Sequence, residues 1–468
     1  MDVMTWDLIL LGVFVVAFSI FLYVKRKKIN KEGLLLLYHT KWGLKLIDSF
    51  GKKHAKGLKI LSYISVFTGY ILMILMVYFF VNIVIVYIFQ ANIVRAIKIP
   101  PITPLIPYLP QIFKLDFLPP FYFSYWIIIL AIVAITHEFF HGIFAKIAKV
   151  KTKTTGFGFF PFFLPVFLAA FVNLDEKAMA KKKKFEQMAV LSAGTFANIL
   201  TAILGVILMV VFFSLSFSPS GVIYNDYAYG IVNMTGITSI NEVAVENPSY
   251  GLLVNLTNQG EINEIIAYNR MFLGIKGATQ DPSYAALYFD SPAIRNNLSG
   301  AITEIDGLKI THLDALSSII ASHSPGEKIT LTTYNGTDEI TKEITLEISP
   351  EGKTWIGISF ENQQASGILG SISAWITSYK NPHIYYTANF TMAKFIYDLL
   401  WWLVLISFSV ALVNMLPVGI FDGGRFFYLT IFAITKSEKA AAKTYKALTF
   451  IFLMLLLVLM IFWAKSFF

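Results

Sequence analysis

Two histidines and a glutamate near position 140 have the types and spacing of a metal site that activates water. The sequence reads His137-Glu138-Phe139-Phe140-His141. Residues four apart on an α-helix project from one face, so both imidazoles can bind one ion, and Glu138 lies about 100° further round, within reach of a water at that ion. A chance match is the alternative, yet the chain has only 7 histidines in 468 residues. The pattern therefore predicts a metal centre with an adjacent base.

This pattern lies near the end of an apolar segment, residues 121–147, that is long enough to cross a membrane as a helix. Ionisable side chains are costly in hydrocarbon unless they are paired, and there they usually mark a functional site. The remaining histidines lie in loops or polar regions without ligand spacing, and we predict ordinary roles for them: His39, His54, His312, His323 and His383.

The composition is typical of a polytopic membrane protein. Hydrophobic residues make up 56% of the chain, charged residues only 14%, and Phe occurs 42 times. The net charge of +9 comes from lysines that cluster beside apolar segments and report orientation, so we predict no nucleic-acid partner. Cysteine is absent, which excludes disulfides and thiolate ligands and leaves histidine and carboxylate to bind zinc.

Six segments are apolar enough to cross a hydrocarbon core of about 30 Å as helices: residues 6–24, 61–89, 121–147, 188–215, 395–417 and 448–467. The loops 25–59, 146–184 and 436–446 are rich in lysine, and short basic loops face the cytoplasm. We therefore predict a multi-pass protein of the cell membrane with both termini outside. Residues 99–120 are rich in proline and predict an outside loop or a partly embedded cap over the helices.

A polar region, residues 216–389, is placed outside by this topology. It contains Asn-x-Ser/Thr sequences, which agree with an outside location but also arise by chance, beginning at Asn233, Asn255, Asn297, Asn335 and Asn389.

Part of this polar region has a recognisable order of predicted elements. A Ser-Pro-Ala sequence at 291–293 precedes a strand at 300–307 that ends in an Asp-Gly turn. A helix at 313–322 follows, and then a strand pair at 328–334 and 339–347. This order resembles the PDZ domains of some membrane proteases over residues 285–360. Residues 216–284 are either a second, diverged copy or an insertion.

A third metal ligand must come from a distant part of the chain, because catalytic zinc takes three protein ligands and keeps one position open. Asp422 is the candidate, since it follows the fifth predicted span in the sequence NMLPVGIFDGGR, where Pro417 and the glycines interrupt the helix. Alternatively, Asp422 caps the next helix or pairs with Arg425. The topology favours a ligand, because the third and fifth spans both run inward and bring His137 and Asp422 to similar depth.

The HExxH sequence together with the later Asn-x-x-Pro-x-x-x-x-Asp-Gly-Gly sequence resembles the site-2 protease family of intramembrane zinc metalloproteases. The resemblance covers most of residues 127–430. It implies that His137, His141 and Asp422 bind zinc and that Glu138 is the general base. The same resemblance implies that the motif containing Asn414 and Pro417 contacts the substrate backbone or supports the site.

Two further segments resemble that family. Residues 156–172, which include Gly156 and Gly158, are similar to its re-entrant β-hairpin; being rich in Gly, Pro and Phe, they cannot form a stable spanning helix but can line a cleft enclosed by protein. Residues 193–198, ending in Asn198, are similar to its Ala-Gly-x-x-x-Asn span. Close helix packing, and for Asn198 an ordinary interhelical hydrogen bond, are the alternatives.

We therefore expect a polytopic α-helical membrane protein with about six transmembrane helices, a re-entrant β-hairpin and an extracytoplasmic α+β PDZ-like domain. The expected domains are a two-span anchor with an outside loop at 1–120, the two halves of a catalytic membrane core at 121–215 and 395–468, and an extracytoplasmic region at 216–394.

The resemblance implies an enzyme that uses Zn²⁺ to hydrolyse peptide bonds within the transmembrane helices of single-span membrane proteins, in the lipid bilayer and toward its cytoplasmic side. Two other classes stay open. One is a non-proteolytic zinc-binding adaptor whose PDZ-like domain binds peptides. The other is a different membrane HExxH peptidase with a glutamate as third ligand, although few carboxylates follow His141 within the apolar spans.

Overall fold

The computed structural model describes residues 2–32, 35–90, 92, 94–95, 100–101, 105–115, 117–159, 168–258, 260–361, 370–371, 374 and 376–465. The chain divides into two compact units. The first consists of residues 1–211 and 394–468, and the second of residues 212–393. Each is described here by itself.

Helices dominate the first unit. They are α1 (Val3–Lys25), α2 (Leu44–Lys53), α3 (Ala55–Phe89), the single turn α4 (Leu109–Ile112), α5 (Phe123–Ile147), α6 (Glu176–Ala180), α7 (Lys184–Ser216), α11 (Ala393–Asn414), α12 (Asp422–Thr435) and α13 (Glu438–Lys465), with α8 to α10 in the second unit. Within the described residues, six helices are long and apolar enough to cross a membrane, namely α1, α3, α5, α7, α11 and α13. The chain is thus a multi-pass membrane protein.

Several helix boundaries differ from the sequence-based expectation; α3, for example, begins at Ala55 and not at residue 61. The fifth span ends at Asn414, and α12 then forms a separate helix that begins at Asp422. The last helix begins at Glu438, so most of the lysines assigned to the basic loop 436–446 lie on its first turns. Because long lysine side chains can reach from a helix end to water, the helix can extend beyond its apolar segment.

A four-stranded antiparallel sheet belongs to the first unit. Its order is β1 (Ile29–Glu32), β2 (Leu35–Thr40), β3 (Thr152–Phe159) and β4 (Leu168–Leu174). Strands β3 and β4 pair antiparallel in the region where a hairpin is predicted at 156–172, with Gly156 opposite Phe171. The segment between them, including Pro161 and Pro165, lies outside the described residues. The sequence did not predict strands β1 and β2, because a short apolar segment among lysines shows no clear strand or helix periodicity.

One buried carboxylate links α1 to the helix that carries the two motif histidines. Asp7 on α1 is only 4% exposed. It accepts hydrogen bonds from the backbone N–H groups of Phe123 (2.6 Å) and Ser124 (2.9 Å), and from the hydroxyl of Tyr108 (2.6 Å). The capping position of α5, Tyr122, has no side-chain hydrogen bond of its own. Asp7 therefore caps α5 from another helix and favours it electrostatically as well, since anions are stabilised at helix N-termini.

The described part of the proline-rich segment 99–120 packs on the ends of α5 and α11. The indole of Trp126 donates to the carbonyl of Leu105 (3.1 Å), and that of Trp402 donates to the carbonyl of Pro120 (3.1 Å). Burial, and then the hydrogen bond to Asp7, raises the pKa of Tyr108 above its ordinary value, so its hydroxyl remains a donor.

The second unit contains two six-stranded sheets with a repeated topology. Residues 237–278 form β8 (Ile237–Ile240), β9 (Val243–Ala244), helix α8 (Tyr250–Asn255), β10 (Glu264–Ala267) and β11 (Arg270–Ala278). Residues 301–345 form β13 (Ala301–Ile305), β14 (Leu308–Lys309), helix α10 (Leu313–Ser322), β15 (Lys328–Tyr334) and β16 (Glu339–Thr345). In the first copy β8 pairs with β9 and β10, and β10 pairs with β11. In the second copy β13 pairs in the same way with β14 and β15, and β15 pairs with β16.

The remaining strands complete these sheets and two small strand pairs. Strands β7 (Tyr229–Asn233) and β12 (Tyr284–Phe289) extend the first sheet, whereas β5 (Phe217–Val222) and β20 (Ile384–Ala388) extend the second. The pairs are β17 (Glu347–Ile348) with β18 (Thr354–Trp355), and β6 (Asp226–Tyr227) with β19 (Ile358–Ser359); a single turn, α9 (Pro292–Arg295), precedes β13. The strand, turn and helix predicted for 300–322 are confirmed, with positive φ angles at Asp306 (50°) and Gly307 (77°).

We expect Asp7→Ala to lower the free energy of unfolding by about 3 kcal/mol, because it leaves buried donors without their charged acceptor. Thermal unfolding of the purified protein in one mild detergent would measure the loss. Asp2→Ala is the matched control, since Asp2 caps α1 itself at an exposed position. Equal unfolding temperatures for the two variants would show that Asp7 does not stabilise α5.

Candidate metal centre

Both motif histidines lie on α5 and face the same side of it. Their Nε2 atoms are 3.0 Å apart, as the helical spacing requires. His137 is 8% exposed and His141 is 9% exposed, so both imidazoles are removed from bulk water. Two adjacent buried imidazoles provide ligands for one ion.

Asp422 completes a group of three ligands. Its Oδ2 lies 3.4 Å from Nε2 of His137 and 3.2 Å from Nε2 of His141. Asp422 is the first residue of α12, whose capping position is Phe421, so the carboxylate does not cap its own helix. Among the described residues, a search for three or more His, Cys, Asp or Glu side chains whose ligand atoms lie close enough to hold a metal ion finds this group.

The dimensions of this group fit a zinc ion. Ligands placed tetrahedrally at 2.0–2.1 Å from zinc lie about 3.3 Å from one another. The three edges of the triangle formed by the ligand atoms of His137, His141 and Asp422 are 3.0, 3.2 and 3.4 Å. Two imidazole nitrogens and one carboxylate oxygen form a donor set that zinc accepts, with a fourth position left for water.

The glycines after Asp422 act through close packing. Both Gly423 and Gly424 are helical and buried. A Cβ on Gly423 would lie 2.4 Å from the carbonyl oxygen of Met415, and one on Gly424 would lie 2.4 Å from that of Val418. The first turn of α12 therefore lies directly against the turn that contains the buried Pro417. This contact, rather than a flexible backbone, brings Asp422 to the histidines.

Each imidazole is also contacted at its other nitrogen by α7. Nδ1 of His141 donates to the carbonyl oxygen of Val190 (2.7 Å), which leaves Nε2 unprotonated for a metal. Nδ1 of His137 lies 3.0 Å from Nδ2 of Asn198, and the Oδ1 of Asn198 is buried without a hydrogen-bond partner. Rotating this amide by 180° satisfies both groups, because Nδ1–H of His137 then donates to Oδ1.

Gly194, which is also on α7, faces the two imidazoles. A Cβ at this position would lie 2.4 Å from Nε2 of His137 and 2.5 Å from Nε2 of His141. From the sequence alone, this glycine indicates only that a neighbouring helix can pack closely against α7. Its position four residues before Asn198 is the signal that places both on one face of α7.

Glu138 is held by the edge of the sheet. Its Oε2 accepts a hydrogen bond from the backbone N–H of Val172 on β4 (2.7 Å). Strand β4 forms one edge of the sheet, so this N–H points away from β3 and toward α5. The bond uses one carboxylate oxygen and leaves the other to accept a proton.

A cavity of about 320 Å³ lies beside these groups. It is lined by His137, Glu138, His141 and Asp422, by residues 171–174 of β4, and by residues of α6, α7 and α12 that include Arg425. The cavity therefore provides space for water beside the three side chains.

The other residues singled out in the sequence lie in different places. Asn414 is the last residue of α11 and lines a separate apolar cavity of about 440 Å³. Gly156 is required in β3, because a Cβ there would lie 2.4 Å from Cζ of Phe171 and from the carbonyl oxygen of Tyr38. Gly158 pairs with Leu37 of β2. The structure thus brings together Asn198 and the three ligands, and not Asn414.

We expect Gly194→Ala to weaken zinc binding by at least ~10-fold, because the new methyl group displaces both imidazoles. Competition with a chromophoric chelator would measure the affinity. Gly57→Ala on α3 is the matched control, since a Cβ there would meet no atom within 4 Å. Unchanged zinc affinity in Gly194→Ala would show that these imidazoles do not hold the ion.

The sequence profile of peptidase family M50 matches residues 125–459 of this chain. No curated protein sequence matches it. Among solved structures, the PDZ domain of an SdrC-like protein from Listeria monocytogenes is 21% identical, covering 20% of this chain and 88% of that domain, with a TM-score of 0.14 that does not define a fold. The matched residues include both motifs and more than half of the first unit. The chain therefore belongs to peptidase family M50, the site-2 protease family of membrane metalloproteases.

Proposed function

We propose that this protein is a zinc-dependent intramembrane protease that cuts single-span membrane proteins within their transmembrane helices. The convergence of His137, His141 and Asp422 to within 3.4 Å, beside Glu138, is the observation that carries the proposal. These groups lie on or next to helices long enough to span a bilayer. Membership in a family of metalloproteases supports the same reaction.

His137, His141 and Asp422 would hold the zinc ion. When bound, zinc supplies a Lewis acid that polarises the scissile carbonyl and lowers the pKa of water. Val190 and Asn198 keep the imidazoles in the required tautomer and orientation.

Glu138 would act as the general base and then as the general acid. Its free carboxylate oxygen takes a proton from the attacking water, and it returns that proton to the leaving amine as the carbon–nitrogen bond breaks. The hydrogen bond from Val172 fixes the carboxylate during both transfers. An intact, positioned base argues against the alternative of a non-proteolytic adaptor, because metal binding alone does not need it.

The substrate would bind as an extended strand along β4. A transmembrane helix shields its own peptide bonds, so it must unwind before hydrolysis. Strand β4 is the outer strand of the described sheet and borders the cavity. The N–H of Val172 is taken by Glu138, whereas Ala170 and Leu174 present their N–H groups in the same direction. Adding a strand there satisfies the backbone of the unwound substrate. The hairpin β3–β4 would be re-entrant, with its edge inside the membrane.

The second unit would be extracytoplasmic and PDZ-like. The basic segments near residues 25, 181 and 439 favour a cytoplasmic location for the adjoining helix ends, and hence an outside location for residues 216–394. The strand order of residues 285–360 and its repetition at 237–278 support two related domains in this region. The active site would then lie toward the cytoplasmic side of the bilayer.

We expect Glu138→Gln to retain about one zinc ion per chain but to lose at least ~10²-fold in cleavage of a single-span reporter, because an amide cannot accept the proton. Asp422→Ala should lose the zinc as well as the activity. Metal analysis and a gel-based cleavage assay in proteoliposomes would measure both. Near-normal cleavage by Glu138→Gln would exclude this residue as the base, and full zinc retention by Asp422→Ala would exclude the ligand.

Val172→Pro tests the contact between β4 and Glu138, because it removes the N–H at a position facing away from β3, where proline is tolerated. We expect kcat/KM to fall about 10-fold or more relative to Val172→Ala, which keeps the N–H while losing side-chain contacts. The pH dependence of kcat/KM should also shift, since Glu138 loses a bond to its charged form. Identical profiles for the two variants would contradict a positioning role for this N–H.

Single cysteines test the orientation directly, because the natural chain has none. We expect Thr337→Cys to react with a membrane-impermeant maleimide added to intact cells, and Lys181→Cys to react only after the membrane is opened. Both positions are exposed. The opposite pattern would invert the proposed topology.

A further inference from the structure

A second cavity lies on the other side of Glu138. Its volume is about 340 Å³, and apolar side chains dominate its lining, among them Trp42, Leu46, Ile135, Phe139, Phe157 and Phe171. Its walls come from the segment that runs from the end of β2 into the start of α2, from the middle of α5 and from the β3–β4 pair. Such a cavity suits a large apolar side chain.

This cavity adjoins the metal centre. Glu138, Phe171 and Val172 line both it and the cavity at the three ligands. The two cavities therefore meet at the carboxylate of the proposed base and at the backbone N–H that holds it. A peptide lying along β4 at the metal centre would have one side chain directed into the apolar cavity, because side chains of a strand leave its two faces alternately.

The wall formed by α2 is firmly packed on α5. Ile47 fills the space above Gly142, where a Cβ would lie 2.8 Å from Cδ1 of Ile47. Lys146 pairs with Asp48 (2.5 Å), and Gly51 allows the stem of Lys146 to lie against α2. Thr155 of β3 donates to the carbonyl oxygen of Trp42 (2.7 Å), which fixes the segment leading into α2. The cavity is thus built into the fold.

We propose that this cavity is the specificity subsite for the substrate side chain next to the scissile bond, and that it selects a large apolar or aromatic residue. The inference rests on the proposed proteolytic function. The lining contains two charged residues: Glu138, whose carboxylate is held by the N–H of Val172, and Lys45, which is exposed; apolar and aromatic side chains form most of the remainder. The wall residues between Thr40 and Ile47, from the end of β2 to the start of α2, lie outside residues 125–459, and so this chain's N-terminal part sets the specificity of its catalytic core.

The test compares single-span substrates that carry Ala, Leu or Phe at the position flanking the bond that the wild-type enzyme cuts. For the wild type we expect kcat/KM to favour Leu and Phe over Ala by at least ~10-fold. Leu46→Trp fills the cavity and should abolish or reverse this preference, because kcat/KM falls more for the Leu and Phe substrates than for the Ala substrate. Trp42→Ala enlarges the cavity and should increase the advantage of Phe over Leu.

Leu204→Trp is the matched control, because Leu204 is 56% exposed on α7 and should leave the preference unchanged. A folded, zinc-loaded Leu46→Trp enzyme with the wild-type preference would overturn the proposal.

Photocrosslinking provides a readout that does not need turnover. Glu138→Gln protein would be mixed with a substrate bearing a photoreactive phenylalanine at the same position, and the crosslink should map to residues 40–47. Crosslinks that map elsewhere would overturn the proposal, as would labelling of 40–47 by a photoreactive lipid acyl chain that substrate does not displace. If the wild type cleaves none of the substrates, the proposed function fails, whereas the crosslink still decides the subsite.

Discussion

The membrane unit, residues 1–211 and 394–468, depends on two buried imidazoles and a partly buried carboxylate that lie among apolar helices. Such groups are costly in a low-dielectric interior unless they are brought together and given partners. His137, His141 and Asp422 lie within 3.4 Å of one another, and backbone or amide groups of α7 contact the far side of both imidazoles. The arrangement resembles a preformed ligand set, in which a cation would offset the remaining cost of burial.

Close helix packing makes this convergence possible. Helices that approach within the membrane do so where side chains are small. Gly194 admits the imidazoles against α7, and Gly423 and Gly424 admit the first turn of α12 against the preceding turn. A buried hydrogen bond of 2.8 Å between Ser65 and Ser192 joins α3 to α7 in the same region. At each of the three glycines, even one added methyl group would clash with its neighbours. The site therefore tolerates little change around it.

The N-terminal elements pack on α5 and β3 although they precede the matched family region. Asp7 on α1 caps α5, β2 pairs with β3, and α2 packs on α5 through Ile47 and Gly142. These contacts hold α5 at its N-terminus, along its side and through the sheet that positions Glu138. The first spans, whose purpose the sequence left open, therefore act as supports for the helix that carries the HExxH pattern.

The sequence by itself determined the features that have a local period or composition. The i, i+4 spacing placed His137 and His141 on one helix face, apolar length identified six spans, and alternation identified the strands around Asp306. Tertiary structure decided the position of Asp422, the hydrogen bond from Val172 to Glu138, and the cap that Asp7 supplies to α5. These contacts join residues far apart in the chain, and no local pattern encodes them, because they depend on which helices pack together and how closely their backbones approach.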